Sequence, residues 1–416
     1  AALAVSSSPS QTIDRCRVCD EKISSPLLSL GKQPLANSLR KNVTERLPLF
    51  PLAICRCRAC GTVQLTETVS PELLFKKYVW VTGTSEGARN YSKLFCERLS
   101  VRCQSDSLFV VEVASNDGTF LKRFAERGDR VLGVDPAQNI AQIAEEKGIP
   151  TVADFFGQNV AARIVGRDGE ADAVFARNVI PHVANANDVV AGMALCLKPE
   201  GTGAIEFHRS DVILEELHYD SIYHEHLFYH SLQSMNSLLG RFGLCPFDVT
   251  ESPISGGSLV VYFSKTMRPP TAIYEEMLGH ENSIGVGREE PWIEFGERCQ
   301  RHRSVLRELV LSRCEQGKRM IGYGASARSS TLLNFCGINS SHLDLIADRA
   351  PLKHNTYTPG TDILIVPPEQ ALNEKPDVVL LLGWNFRDEI LSQIRDEFGW
   401  RGEIIIPLPH DPVVIT

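Results

Sequence analysis

The stretch Val110-Val-Glu112-Val-Ala114-Ser-Asn116-Asp117-Gly118-Thr119 decides how the chain is read. The apolar run 108–113 has the make-up of a buried strand. Small and turn-forming residues follow it, and a helical pattern then covers 119–127. Such a turn brings backbone N–H groups and a helix start close to whatever lies above it. Working outward, a helical stretch at 74–102 leads into this unit. Strands are predicted at 130–134, 173–175 and 203–207, with helical patterns between them. The region 211–245 reads as mixed helix and loop, and a strand at 259–263 follows the Ser255-Gly256-Gly257-Ser258 turn. Strands alternating with helices predict an α/β fold with a doubly wound, mostly parallel sheet.

A charged helical stretch at 271–313 reads as a connector or a hairpin of helices. A second alternating unit follows, with strands at 319–322, 343–347, 378–382 and 403–406. The first seventy or so residues are rich in turn formers and hold clustered cysteines. The chain therefore divides into three expected domains, at 1–72, 73–268 and 269–416. A length of 416 residues suits two or three domains. The net charge of -8 disfavours a nucleic-acid partner, though local cations can still hold a small anion. No apolar run of about 18 residues suggests a membrane span. The opening AALAVSSSPS lacks a basic start and a long apolar core, so we read it as a leader without order, not a signal peptide. Of the 12 cysteines, seven are scattered among apolar neighbours. A chain of this size without an export signal is not expected to be a disulfide scaffold, which points to a reducing cytoplasm.

The remaining five are Cys16, Cys19, Cys55, Cys57 and Cys60. Cys16-Arg-Val-Cys19 and Cys57-Arg-Ala-Cys60 are two C-x-x-C units separated by 37 residues. Each unit can present two thiolates to one ion from a tight turn, and four complete a tetrahedron. Cys55 could replace Cys57, but it breaks the spacing. Four thiolates leave no open position, so a zinc ion here is expected to be structural.

The 110–119 turn resembles motif I of class I methyltransferases, where an acid and small residues hold the methionine part of S-adenosylmethionine (SAM). The positions concerned are Glu112, Ala114, Asn116, Asp117 and Gly118. Asp135, ending the next strand, suits a ribose, because a carboxylate accepts from both hydroxyls. Asp154 and Phe155 come after the third strand and could cap the adenine; a core aromatic pair is the competing reading of Phe155-Phe156. Phosphate-rich cofactors fit less well, since Asp117 would repel them and no Walker lysine follows.

The segment Asp220-Ser-Ile-Tyr223-His224-Glu225-His226-Leu-Phe-Tyr229-His230 concentrates titratable side chains. If helical, Tyr223 and His226 share a face with Tyr229 or His230. A histidine there can take a proton near neutral pH. It is not an H-E-x-x-H metal motif.

With these residues the chain resembles, over nearly its whole length, the sugar-nucleotide C-methyltransferases of antibiotic deoxysugar pathways. The resemblance rests on the C-x-x-C pair ending in Cys60-Gly61-Thr-Val-Gln64-Leu65, on Glu112 to Gly118, and on Asn178-Val-Ile-Pro-His182. It also rests on Tyr223-His-Glu-His226, Gly256-Gly257-Ser258, Gly324-Ala-Ser-Ala-Arg328, Asp348-Arg-Ala-Pro-Leu-Lys353 and Pro359-Gly360-Thr361. It implies a class I SAM methyltransferase sheet, a small N-terminal zinc domain and a second, Rossmann-like domain. It implies a small-molecule acceptor, a 4-keto-6-deoxysugar on dTDP, methylated on carbon through an enolate. His226 matches the base. Tyr223 and Glu225 line the site with Tyr78, and His182 lies beside the sugar. Asn178 belongs with the cofactor residues and His224 with the substrate residues. Ser326, Arg328 and Lys353 are expected around the substrate diphosphate. Trp80 stands where relatives often carry a second tyrosine, and Ala327-Arg328 replaces a more common lysine form. A different SAM acceptor, methylated on oxygen or nitrogen, is the rival reading. An NAD-dependent oxidoreductase built on the Gly322-Tyr-Gly324 turn is a weaker one. A monomer or weak homo-oligomer is expected.

Overall fold

The computed structural model describes residues 9–23, 25–75, 82–253 and 257–416. The cysteine-rich region is built from short strands: β1 (Ser10–Thr12), β2 (Leu28–Gln33), β3 (Phe50–Arg56), β4 (Val63–Leu65) and β5 (Glu67–Val69). β2, β3 and β4 form an antiparallel sheet, while β1 and β5 pair with each other.

The central sheet contains β6 (Phe109–Val113), β7 (Arg130–Val134), β8 (Thr151–Val152), β9 (Ala171–Arg177) and β10 (Leu197–His208). Its seven strands run in the order β12-β13-β10-β9-β6-β7-β8, with β12 (Cys245–Ser252) and β13 (Ser258–Ser264) antiparallel at one edge. Every residue of β6 is buried, as a central strand covered on both faces requires. One face carries Phe95, Phe120, Phe124 and Phe175, whose rings meet at centroid distances of 4.9 to 5.8 Å. Each such ring contributes about 1.5–3 kcal/mol by its burial. The strand order changes direction between β6 and β9, and ligands of open α/β sheets bind outside the strand ends at such a point.

The 271–313 stretch is a helix pair, Ala272–Ile284 and Glu290–Glu315. Beyond it a second seven-stranded sheet contains β14 (Met320–Tyr323), β15 (Leu345–Ala347), β16 (Thr356–Tyr357), β17 (Leu364–Val366), β18 (Val378–Leu381), β19 (Glu403–Ile406) and β20 (Val413–Ile415). Its order is β16-β17-β15-β14-β18-β19-β20, with a switch point between β14 and β18. Both α/β units and the zinc-domain sheet contribute to one continuous apolar core.

Within the region read as mixed helix and loop, residues 219–230 are not the helix that would have set Tyr223 and His226 on one face. They form a short 3-10 turn, Tyr219–Ser221, then a loop, then the strand β11 (Phe228–Tyr229). β11 leaves the central unit and pairs with β4, completing a four-stranded sheet with the zinc domain. Tertiary pairing outweighs local helix propensity here.

Gly324 follows β14 at φ 101°, and a Cβ there would sit 2.9 Å from the backbone nitrogen of Gly383. Gly324→Ala is therefore expected to cost about 1–3 kcal/mol. Thermal unfolding should show a lowered Tm, and an unchanged Tm would contradict the assigned backbone geometry.

Candidate functional site

The four cysteines of the two C-x-x-C units converge. All four Sγ atoms lie within 4.8 Å of one another, with Cys16–Cys60 at 3.6 Å and Cys19–Cys57 at 3.4 Å. A tetrahedral zinc–thiolate centre has Zn–S bonds of about 2.3 Å and hence S–S edges of about 3.8 Å, so the set fits the ion. Gln64 Nε2 and the Val18 amide donate to Cys16 Sγ at 3.1 and 3.4 Å. Hydrogen bonding from Cys60 holds the Cys16 thiol far below its usual value, at about 4. Cys55 lies outside this set; burial pushes its thiol up to about 12. Cys57→Ser should therefore lose the zinc measured by metal analysis of the purified protein, while Cys55→Ser should keep it.

At the carboxyl ends of β6 and β9, three non-glycine residues adopt left-handed backbone: Ala114 (φ 52°), Asn116 (φ 51°) and Asn178 (φ 51°). Strain of this kind gathers where a backbone must take one shape around a ligand. Asp135 ends β7 and accepts from the amides of Asn116 (2.9 Å) and Ala137 (3.0 Å). Glu112 is buried, and its Oε2 has no hydrogen-bond partner among the described residues. Burial raises this carboxyl well above the carboxylate range, against the pull of nearby Arg177. Arg177 is already paired with Glu206 at 2.9 Å and lies over the Phe120 ring. One guanidinium thus faces two buried acids, and the unpartnered Glu112 oxygen suits the ammonium of a methionine moiety. Gly118 has φ 74°, and a Cβ on it would meet Ile149 at 2.9 Å. The SAM residues therefore fit the cofactor, with one correction. Asp117 is fully buried and spent on internal contacts, with Lys147 at 2.6 Å, Thr119 Oγ1 at 2.7 Å and the Gly83 amide at 3.2 Å. Its charge is matched, so it repels no anion. Asp154 is half-buried and paired with Arg163, and Phe155 is 77% exposed after β8, not in the core.

The 219–230 loop places its side chains by contacts to all three units. His226 N–H bonds to the Tyr223 carbonyl (2.9 Å), and this turn stacks the two rings at 4.0 Å despite the absence of a helix. His226 Nδ1 lies 3.0 Å from the Ser221 carbonyl and Nε2 lies 2.7 Å from Tyr223 Oη. A carbonyl only accepts, so the His226 proton sits on Nδ1 and Nε2 accepts from the phenol. His182 lies 4.8 Å away by ring centroids, and its Nδ1 meets the Glu225 carbonyl at 2.8 Å. Glu225 accepts from Asn37 of the zinc domain at 2.7 Å. Burial lowers the pKa of both imidazoles and raises those of Tyr223 and Glu225. Tyr223, Glu225, His226 and His182 thus form one partly exposed cluster. Tyr78 and Trp80 lie outside the described residues.

The other expected residues have partners of their own. His224 is 2% exposed; its Nε2 meets the Pro51 carbonyl at 3.0 Å and its ring packs on Phe50, so it ties the loop to the zinc domain rather than facing a substrate. His230 packs on Phe207 and Phe228, and Tyr229 is buried. Arg328 makes two bonds to Asp220, at 2.9 and 3.1 Å, and lies over the Trp384 ring, whose Nε1 donates to Asp220 at 2.7 Å. It is not the unpaired cation that a diphosphate site would use. Ser326 caps the helix Ala327–Cys336 in a capping box with Ser329. Lys353 bonds the Ala325 carbonyl (2.7 Å) and Asp348 (3.3 Å). Asp348 accepts from the amides of Ala325 and Ala350, repeating the arrangement of Asp135. Asp220, Trp384 and Asn37 were not singled out by sequence; only Asp220 carried a signal, through its place before Tyr223.

Comparison with known proteins agrees with this architecture. Residues 16–75 match a zinc binding domain family, residues 88–246 a methyltransferase domain family, and residues 253–409 the C-methyltransferase C-terminal domain family. The chain is 34% identical over 413 residues to the C-methyltransferase NovU of Streptomyces niveus, covering 97% of each chain. Among solved structures, the magnesium protoporphyrin IX methyltransferase of Synechocystis PCC 6803 with bound SAM matches 43% of this chain and 80% of its own, at 14% identity and a TM-score of 0.34. The CcbJ methyltransferase of Streptomyces caelestis matches 46% of this chain and all of its own, at 12% identity and a TM-score of 0.35. With its zinc-binding domain, its SAM-type sheet and this full-length likeness, the chain belongs to the C-methyltransferase family and is a SAM-dependent methyltransferase.

Proposed function

We propose that this enzyme methylates carbon 3 of a dTDP-linked 4-keto-6-deoxysugar and serves deoxysugar and antibiotic biosynthesis. The observation that carries the reading is the Ser221–His226–Tyr223 hydrogen-bond chain, which holds the imidazole proton on Nδ1 and makes Nε2 the accepting atom. A ketone acidifies the C–H beside it. That C–H takes the place of the Tyr223 hydroxyl at His226 Nε2, and His226 accepts the proton. The electron pair left behind forms the enolate, a carbon nucleophile for a methyl group whose bond to sulfur would break to leave S-adenosylhomocysteine. SAM supplies the electrophilic methyl when bound, and His226 later returns its proton to solvent. Burial keeps His226 neutral, the form a base needs. His182 flanks the base beside the sugar, while Tyr223 and Glu225 line the cleft. The diphosphate is assigned to the mouth of the Gly324 turn, near Ser326, Arg328 and Lys353. Asp220 and Asp348 already match two of those cations. Backbone N–H groups at the start of the helix Ala327–Cys336 therefore carry much of the anion binding.

Mass spectrometry of enzyme incubated with SAM and a panel of dTDP-4-keto-6-deoxysugars tests the reading; a gain of one methyl on an intact nucleotide sugar is expected. Absence of product across the panel would mean that the enzyme methylates a different acceptor. His226→Asn should abolish turnover and keep SAM affinity by equilibrium dialysis, because the base is not a SAM ligand. Wild-type turnover in that variant would remove His226 as base. Since the His226 pKa is lowered, the neutral base persists as pH falls through the ordinary histidine value of about 6.5. The acid limb of the kcat/KM profile should lie below that pH.

A further inference from the structure

The turn that leaves β2 is held from both sides. Leu35 and Ala36 are buried, and Pro34 packs against the second α/β unit, where a Cβ on Gly360 would meet Pro34 Cγ at 2.9 Å. Arg40 then pairs its backbone with Tyr357 of β16, the edge strand of that unit's sheet. The Arg40 amide donates to the Tyr357 carbonyl at 3.2 Å, and the Tyr357 amide to the Arg40 carbonyl at 2.7 Å. The buried Arg40 guanidinium donates to the carbonyls of Val43 (3.1 Å) and Glu45 (2.7 Å) and pairs with Asp362. Residues 34–40 are thus a strap that runs from the zinc-domain sheet to the second unit.

Asn37 is the exposed residue of this strap, and its side chain reaches the central unit. Its Nδ2 donates to Glu225 Oε1 at 2.7 Å. Glu225 is half-buried, and among the described residues Asn37 is the one group bonded to its carboxyl, with no cation paired to it. Burial raises that carboxyl, and the Asn37 bond pulls it back. Burial and then the Glu225 charge push the Tyr223 phenol up, so the carboxylate stands within electrostatic reach of the hydroxyl that bonds His226 Nε2.

A carboxylate drawn out of water normally gains a cation or several N–H donors. Glu225 has one neutral N–H, and a carboxylate can accept at about four lone-pair sites. Its accepting capacity is therefore largely unspent, beside the residues that carry the proposed chemistry. A phosphate would be repelled there. A neutral hydroxyl is not repelled, and it donates to a carboxylate oxygen.

We propose that Asn37 is a positioning residue: it fixes the Glu225 carboxylate to accept from a hydroxyl of the acceptor sugar, so that the zinc domain takes part in selecting the acceptor. This rests on the keto-sugar reading above.

The test measures Kd by equilibrium dialysis on full-length, zinc-loaded enzyme saturated with S-adenosylhomocysteine. The ligands are dTDP and a dTDP-4-keto-6-deoxysugar that the wild type methylates. Asn37→Ala removes the donor, and the Kd for the sugar nucleotide should rise about tenfold. The Kd for dTDP, which lacks the sugar, should hold. Asn37→Asp keeps the size and the turn preference but sets a carboxylate against Glu225. It should weaken sugar-nucleotide binding more than Asn37→Ala does, whereas a residue that only shapes the turn would tolerate it. In a Glu225→Ala background, Asn37→Ala should add nothing further, because the bond it removes is already gone. An unchanged sugar-nucleotide Kd in Asn37→Ala, wild-type binding by Asn37→Asp, or full additivity with Glu225→Ala would each overturn the proposal. So would an equal loss of dTDP binding, which would mark the residue as structural. If the wild type methylates no keto sugar, the acceptor assignment fails and takes this proposal with it. Methylation by the wild type with unaltered binding in Asn37→Ala sinks Asn37 alone.

Discussion

The site depends on how residues 219–230 are held. This loop has almost no repetitive structure of its own, yet it is largely buried, and buried backbone must find partners. The partners come from three directions. The Leu65 amide donates to Leu227 O and the Leu227 amide to Pro181 O, at 2.9 and 2.7 Å. The Ser210 amide donates to His230 O at 2.9 Å, and Thr331 Oγ1 donates to Ile222 O at 2.8 Å. β11 then pairs with β4 of the zinc domain. The loop is therefore a seam, and the Tyr223–His226 turn has the geometry it has because each unit holds one side of it.

This explains the value of a structural zinc centre. The zinc-domain sheet is small, and its own apolar contacts would not fix a loop rigidly. Four converging thiolates lock the knuckles, Gln64 bonds Cys16 Sγ, and Gln64 is also the β11-pairing residue opposite Phe228. The metal centre thus bears on the 219–230 loop through one side chain and one strand. Asn37 and the Pro51 carbonyl add two further holds, on Glu225 and His224.

The Asp220–Arg328–Trp384 group does the same work for the second α/β unit. A guanidinium bonded twice to a buried carboxylate, with an indole N–H on the same acid, is a fully satisfied buried pair. Removing one partner of such a pair typically costs about 3–5 kcal/mol. Its likeness to an anion site in sequence comes from the glycine turn and the arginine alone. The acid that neutralises it lies 108 residues away and is visible only in three dimensions.

Local chemistry determined much of this protein before any folding was considered. Paired C-x-x-C units specify four thiolates, because only that spacing lets a tight turn present two sulfurs together. The buried run of β6 and its small-residue turn specify a strand, a crevice and a helix, and alternation specifies the doubly wound sheets. The strands at Arg130–Val134 and Glu403–Ile406 coincide with the ranges read from the apolar pattern. What tertiary structure alone decided is which polar side chains remain available. Asp117 and His224 look functional by position, yet Lys147 and Pro51 engage them from elsewhere in the chain. Within the mixed helix and loop of 211–245, the shape of 219–230 was set by pairing with β4, which satisfies backbone groups that an isolated turn could not. Residue type sets what a group can do; burial and distant partners set whether it is free to do it.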